Sequence, residues 1–183
     1  MTNNKFIVII ISAAIGLIPI ILGIVALVTP EWIVVNLVGE RASTVYGLFQ
    51  RCASIETETG STTSCVDIKS AFQTVEGLQI AGVVILAVGV VIAIIIKQFS
   101  PKYILNLFTP LLPLIGSVLI LVGSLLFAKY VIEHYSNNFI DVTIGYSMVL
   151  MVIACICGFV VTALFAFDTG YNYGNSRSTV NFG

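Results

Sequence analysis

The run FIVIIISAAIGLIPIILGIVALV, residues 6–28, contains 23 residues and no charged side chain. A helix needs about 20 mostly apolar residues to cross the hydrocarbon core of a bilayer, so this run predicts a membrane-spanning helix. Its many Ile and Val residues also suit a β-strand, but a spanning strand needs only about 10 residues and alternates apolar with polar positions. Because the run is too long for the core of a cleaved signal peptide, we expect a retained signal anchor.

Three further apolar runs follow, at about residues 78–96, 104–128 and 144–167. Over the whole chain 58% of residues are hydrophobic and 9% are charged, whereas a soluble domain carries about 25% charged residues. This composition excludes a soluble globular protein, and the net charge of −1 argues against a nucleic-acid partner. We therefore expect one four-span domain over residues 1–183, with the lipid bilayer as its first partner.

Four spans place both termini on one side of the membrane, together with a short turn at 97–103 and a tail at 168–183. The outer loops are then 29–77 and 129–143. The long loop contains Cys52 and Cys65. If they form a disulfide, the loop faces an oxidising compartment, outside the cell or in a lumen, and both termini are cytoplasmic. Two free thiols remain an alternative, as does a metal site, which would need further ligands.

Small residues recur along the predicted helices at spacings that select one helix face. In a bilayer, small residues let helices approach closely, and a seven-residue step suits left-handed packing, although chance in glycine-rich helices is the alternative. We predict a membrane all-α fold: a left-handed four-helix transmembrane bundle with a small disulfide-stapled extracellular β-sheet in the first outer loop. The predicted packing residues are Gly16, Gly23, Gly82, Gly89, Gly116, Gly123, Ala154 and Gly158.

No charged residue lies inside any of the four runs, which argues against a pump, a secondary transporter or a voltage sensor. The chain has one histidine, His134, and neither a His/Glu metal motif nor a glycine-rich phosphate loop. We therefore expect no enzyme activity, no catalytic residue, no metal and no cofactor. Cys155 and Cys157, in the middle of the fourth run, are interpreted as packing residues.

The first outer loop is rich in β-branched residues, and we predict a sheet of two to four strands there. The predicted strands are 32–38, 43–52 and 65–68. Residues 39–41 are interpreted as a turn and 54–64 as a variable excursion. Residues 69–77 are expected to lead into the second span as helix. A sheet this small needs the bundle beneath it to be stable.

Trp32, followed by Gly47-Leu48-Phe49 and then by Cys52 and Cys65, resembles the Trp…Gly-Leu-Trp…Cys…Cys signature of the claudin, peripheral myelin protein and epithelial membrane protein superfamily. The stretch CVDIKSAFQTVEGLQIA, residues 65–81, and the fourth apolar run are also similar to that superfamily. Phe49 stands where the second signature Trp is usual. From the resemblance we expect Trp32, Leu48 and Phe49 to pack together and anchor the sheet to the bundle.

The resemblance implies a claudin-like protein of cell–cell contacts in the plasma membrane. Such a protein forms homotypic adhesion or paracellular barrier and channel assemblies, as a homo-oligomer in cis and also in trans. The alternative is an auxiliary or regulatory four-span subunit of a channel or receptor, or a membrane organiser like the myelin proteins. The C-terminal Val-Asn-Phe-Gly is unlike a PDZ ligand, so we do not expect PDZ scaffold binding.

The first outer loop carries six acidic and three basic residues. In claudins the charge just after the second signature cysteine lies near the selectivity region, and Asp67 is the nearest candidate here. Negative residues that line a narrow aqueous path favour cations, so the resemblance predicts a selectivity role for Asp67. The alternative is that these acids form an ordinary solvated surface.

Overall fold

Four long helices form the body of the protein in the computed structural model, which describes residues 2–37, 42–57, 60–67, 73–99, 108–135 and 140–180. They are α1 (Thr2–Val28), α2 (Gln73–Phe99), α3 (Leu111–Tyr135) and α4 (Tyr146–Val180). Three of them carry apolar stretches long enough to cross a membrane, namely Gln73–Ile96, Leu111–Glu133 and Tyr146–Gly170. In α1 the apolar stretch whose side chains are described is shorter, Ala14–Val28. The four-helix architecture is confirmed.

The helix ends differ from the ends of the predicted spans. Hydropathy locates only the apolar part of a helix, whereas polar and charged residues such as Lys129 and Glu133 continue it. The third helix begins at Leu111, because Phe108–Pro110 forms a turn. Pro110 disfavours helical geometry at the residue before it. Pro113 lies in the first helical turn, where backbone N–H groups have no acceptor within the helix, so a proline there loses no hydrogen bond.

The helices form a ring in which each one packs against two neighbours. Helix α1 packs against α2 and α4, and α3 packs against the same two helices. Between α1 and α2, the backbone of Gly16 lies against Val90 and that of Gly23 lies against Val83. A methyl group on Gly16 would lie 2.6 Å from Val90 Cγ1, so the side chain of one helix fills the space left by the glycine of the other.

The closest helix contact joins α2 to α3. A methyl group on Gly116 would lie 2.6 Å from the backbone nitrogen of Leu86 and 2.8 Å from the carbonyl oxygen of Gly82. Gly89 lies equally close to Leu112 and Pro113, so the two backbones are in van der Waals contact over two turns. Since lipid tails are as apolar as the side chains, this close approach, and not burial from water, holds the helices together.

Helix α4 closes the ring against α3. Gly158 faces Ser117, whose hydroxyl would collide with any added methyl group, and Ala154 and Cys155 are buried near it. The Cys155 thiol lies 3.4 Å from the Ser117 carbonyl oxygen. The eight predicted packing residues thus lie at helix–helix contacts or in the core; the two that remain are Gly82, against Ile120, and Gly123, against Gln79.

A five-stranded antiparallel sheet stands at one end of the bundle. Its strands are β1 (Ile33–Leu37), β2 (Ala42–Tyr46), β3 (Gln50–Thr57), β4 (Gly60–Asp67) and β5 (Ile140–Ile144), in the order β4-β3-β2-β1-β5. The segment between α1 and α2 supplies four of these strands, within the predicted range of two to four, and the fifth strand was not predicted. The fifth strand comes from the second outer loop, where the alternation of Ile-Asp-Val-Thr-Ile fits a strand that is partly covered on one face.

Two of the predicted segment assignments were wrong. Residues 43–52 are not one strand, because Gly47–Phe49 reverses the chain between β2 and β3. Residues 54–64 are not an irregular excursion but belong mostly to the β3–β4 hairpin. Their Ser and Thr residues read as loop, yet Thr is a good strand former once a neighbouring strand is present. The turn predicted at 39–41 lies outside the described residues, as do residues 69–72 of the segment expected to be helical.

Replacing Gly116 by alanine is expected to lower the free energy of unfolding by about 1–3 kcal/mol, because the new methyl group meets the backbone of α2 and no flexible side chain can yield. Gly77→Ala on α2 is the matched control, since nothing lies within 4 Å of the added atom. The measurement is thermal unfolding of the detergent-solubilised protein followed by size-exclusion chromatography. Equal stability of the two variants would contradict the close α2–α3 contact.

Candidate functional site: the sheet and its junction with the bundle

Trp32 joins the sheet to the bundle through its backbone. Its N–H donates to the Tyr46 carbonyl oxygen at 3.0 Å, and its carbonyl oxygen accepts from the Gly145 N–H at 2.9 Å. The first bond continues the β1–β2 pairing, and the second continues the β1–β5 pairing towards α4. The backbone of Trp32 is therefore hydrogen-bonded to β2 through its N–H and to the residue before α4 through its carbonyl oxygen.

The Trp32 side chain points back into the bundle and is fully buried. Its indole Nε1–H donates to the Ala26 carbonyl oxygen at 3.0 Å. Ala26 lies in the last turn of α1, where carbonyl groups have no partner within the helix, so the indole supplies one. The ring meets Phe127 of α3 edge to face, with 5.1 Å between ring centroids and 73° between planes.

The start of α4 is held by the same segment. The Ser147 N–H, one of the first amides of that helix, donates to the Glu31 carbonyl oxygen at 3.1 Å. Gly145 lies directly against the backbone of Glu31, so that a side chain at this position would overlap the carbonyl group. Consequently residues 31 and 32 fix the relative positions of α1, α4 and three strands of the sheet.

The Gly47–Phe49 turn lies on the same junction. The Gly47 N–H donates to the Gln50 carbonyl oxygen at 2.8 Å, and Gly47 packs so tightly on Pro30 that an added methyl group would lie 2.8 Å from its backbone. Leu48 is buried, with 1% of its surface exposed, whereas Phe49 is 43% exposed. The expectation that Phe49 would be buried with Trp32 and Leu48 was wrong, and the aromatic ring against Trp32 is that of Phe127.

Cys52 and Cys65 form a disulfide between directly opposed residues of β3 and β4. Their α-carbons lie 4.1 Å apart, and the bond closes the hairpin near its junction end. Asp67, the last residue of β4, pairs with Gln50 at that same end and is exposed. The selectivity role of Asp67 remains a prediction.

One polar contact inside the bundle was missed by sequence analysis. The buried Gln79 of α2 donates from Nε2 to Ser124 Oγ of α3 at 3.0 Å. The sequence offered one sign of this contact: Gln79 is the amide side chain near the start of an otherwise apolar run. Its partner on the other helix was not evident from the sequence. The contact is a structural hydrogen bond, which adds direction to a helix pair otherwise joined by close packing.

The arrangement is suited to presenting a surface. The backbone amides of Trp32, Gly145 and Ser147 are engaged in structural hydrogen bonds, whereas two buried side-chain oxygens, Ser147 Oγ and Gln79 Oε1, have no hydrogen-bond partner. Within the described ranges, no group of three or more His, Cys, Asp or Glu side chains is placed to hold a metal ion. The salt bridge between Lys129 and Glu133 joins successive turns of α3 at 3.6 Å and is solvent-exposed. Exposed pairs of this kind contribute little to stability.

The sequence matches the family described as PMP-22/EMP/MP20/Claudin over residues 4–165. This chain is a member of that family. The match runs from α1 into α4 and covers the whole sheet, so this claudin-family chain is a multi-pass membrane protein. A comparison with curated proteins finds no match.

Replacing Trp32 by phenylalanine keeps an aromatic ring beside Phe127 but removes the N–H that the Ala26 carbonyl oxygen accepts. We expect a loss of about 0.5–1.5 kcal/mol, because the buried hydrogen bond from the indole is lost and the Ala26 carbonyl oxygen keeps only the longer one from the Thr29 hydroxyl, at 3.4 Å. In the neighbouring turn, Phe49→Leu should change stability by no more than about 0.5 kcal/mol, since that ring is exposed. Chemical unfolding of both variants in detergent compares them, and an unchanged Trp32→Phe midpoint would argue against the junction.

Proposed function

We propose that this protein is a claudin-like component of cell–cell contacts in the plasma membrane, where copies associate into homotypic adhesion or paracellular barrier assemblies. The observation that carries the proposal is the sheet, which is closed by a disulfide and fixed on one end of a bundle of the claudin family. Adhesion between membranes requires a surface held at a defined orientation to the bilayer, and the Trp32 junction supplies that orientation.

The direction of the sheet follows from its chemistry. A disulfide persists in an oxidising compartment, so the Cys52–Cys65 bond supports an extracellular sheet. Helix α1 ends just before β1 and α4 begins just after β5, so the start of α1 and the end of α4 lie away from the sheet, at the opposite end of the bundle. We therefore propose cytoplasmic termini.

The sheet also offers a means of association between copies. Strand β4 stands at one edge, carries eight residues and contains neither Lys nor Pro, the residues that usually keep an edge strand from pairing with another chain. Addition of a strand from a second copy would continue the ladder through backbone hydrogen bonds. This feature favours homotypic assembly over the alternative of an auxiliary subunit.

Cell contacts provide the test. When cells that express the full chain are mixed with cells that do not, the protein should accumulate where two expressing cells meet and not at mixed contacts. Freeze-fracture of those contacts should show intramembrane strands. The Cys52→Ser variant should lose the accumulation, whereas Cys157→Ser, which alters a free cysteine within α4, should keep it. Uniform distribution with co-purification of a channel would favour the auxiliary role.

Asp67 is proposed to favour cations along the assembled contact. It is exposed at the end of β4, and negative side chains along a narrow aqueous path attract cations and repel anions. In an epithelial layer that expresses the protein, dilution potentials should show Na⁺ preferred over Cl⁻, and Asp67→Asn should reduce the preference. Glu133→Gln, which removes an equal charge from α3, is the control. An anion preference would reject this role.

A further inference from the structure

One row of the sheet runs along its junction with the bundle. By strand register this row consists of Ile144, Ile33, Tyr46, Arg51 and Val66, one from each strand. Its member on β1, Ile33, directly follows Trp32, whose indole reaches back to Ala26 in α1. The row therefore lies at the level where α1 leaves its apolar stretch. We call this row, together with Phe49 of the adjoining turn, the junction rim.

Large apolar side chains of the junction rim are exposed. Val66 is 59% exposed and Phe49 is 43% exposed, although Leu48 beside it is almost completely buried. Ile144, at the far end of the row, is also exposed. Ile33, between them in the row, is buried, so Ile144 is separate from the other two. Phe49 and Val66 lie at the same end of the row, because Gln50, which follows Phe49, pairs with Asp67, which follows Val66. Scattered apolar residues on a surface need no explanation, but these two are neighbours.

The helix surface next to the junction rim indicates that lipid covers the rim. The rim continues directly into the lipid-facing surface, since exposed Val28 ends α1 and exposed Tyr146 begins α4. Gly47 packs on Pro30, two residues after Val28, so the turn that carries Phe49 cannot stand away from the end of the helix. A side chain at this height meets the boundary between lipid and water.

The charged residues of the junction rim indicate how deep in the membrane the rim lies. Arg51 is directly opposite Val66 and exposed, with its guanidinium 6.0 Å from the centre of the Tyr46 ring, and Asp67 follows Val66. Charged groups are costly in the hydrocarbon core but not among headgroups, where aromatic side chains are also favoured. The rim thus has the composition of an interfacial surface, with apolar side chains beside ionic ones.

We propose that the junction rim is a lipid-binding surface: Phe49 and Val66 lie in the headgroup layer of the leaflet on the sheet side and contact phospholipid there. The sheet is then held at the membrane by lipid as well as by the Trp32 junction. This contact belongs to the single copy and does not require association between copies.

The test compares two tryptophan substitutions on the full chain in lipid nanodiscs. Phe49→Trp places the probe on the rim, at a position where the family signature has Trp. Ile55→Trp places it on β3, also on an exposed side chain, four residues and about 13 Å from Arg51. The unmodified chain, whose single Trp is the buried Trp32, gives the background.

Phospholipid brominated near the headgroup should quench the Phe49→Trp emission more than that of Ile55→Trp, and more than lipid brominated near the bilayer centre does. Aqueous iodide should quench Ile55→Trp and spare Phe49→Trp. Val66→Trp is a second rim probe and should behave like Phe49→Trp. Quenching of both rim probes by iodide would overturn the proposal, as would protection of both from iodide and from brominated lipid, which would indicate protein as the occupant.

Discussion

The insertion of Trp32 into the end of the bundle is the interaction on which the rest of the structure depends. Its indole supplies a hydrogen bond to the last turn of α1 and packs against α3, while its peptide joins the β-hairpin to the start of α4. Few side chains can do this, because the position requires a large apolar ring with a donor at its edge. One residue thus connects the membrane part of the molecule to its outer sheet.

Beneath that junction the bundle is held by close approach of backbones. Burial from water cannot stabilise contacts within lipid, so the helices rely on dispersion contacts and on a few interhelical hydrogen bonds. The close packing of Gly116 against the Leu86 backbone is an example of a dispersion contact, and the bond from Gln79 to Ser124 is an example of an interhelical hydrogen bond. Both join α2 to α3. These contacts keep the helix ends at fixed separations, which the junction above them requires.

The proposed function rests on the rigidity of that arrangement. The sheet is connected to two helices of the bundle, because β1 follows α1 and β5 precedes α4. In the proposed adhesive role, a surface fixed in this way would meet an opposing membrane in one orientation only. In the proposed lipid contact, the same geometry would hold Phe49 and Val66 at the boundary between lipid and water.

The sequence by itself determined the four apolar helices, the small residues between them and the resemblance to the family, because hydropathy, composition and motif spacing are local properties. That Cys52 and Cys65 are bonded to each other was decided by the register of β3 and β4. Only the tertiary structure decided that residues 140–144 complete the sheet, since the partner of that strand, β1, lies more than a hundred residues away. It also decided that Phe127, not Phe49, meets Trp32. Sequence marks an aromatic ring as suited to a core, but which ring enters the core depends on how helices and sheet meet in space.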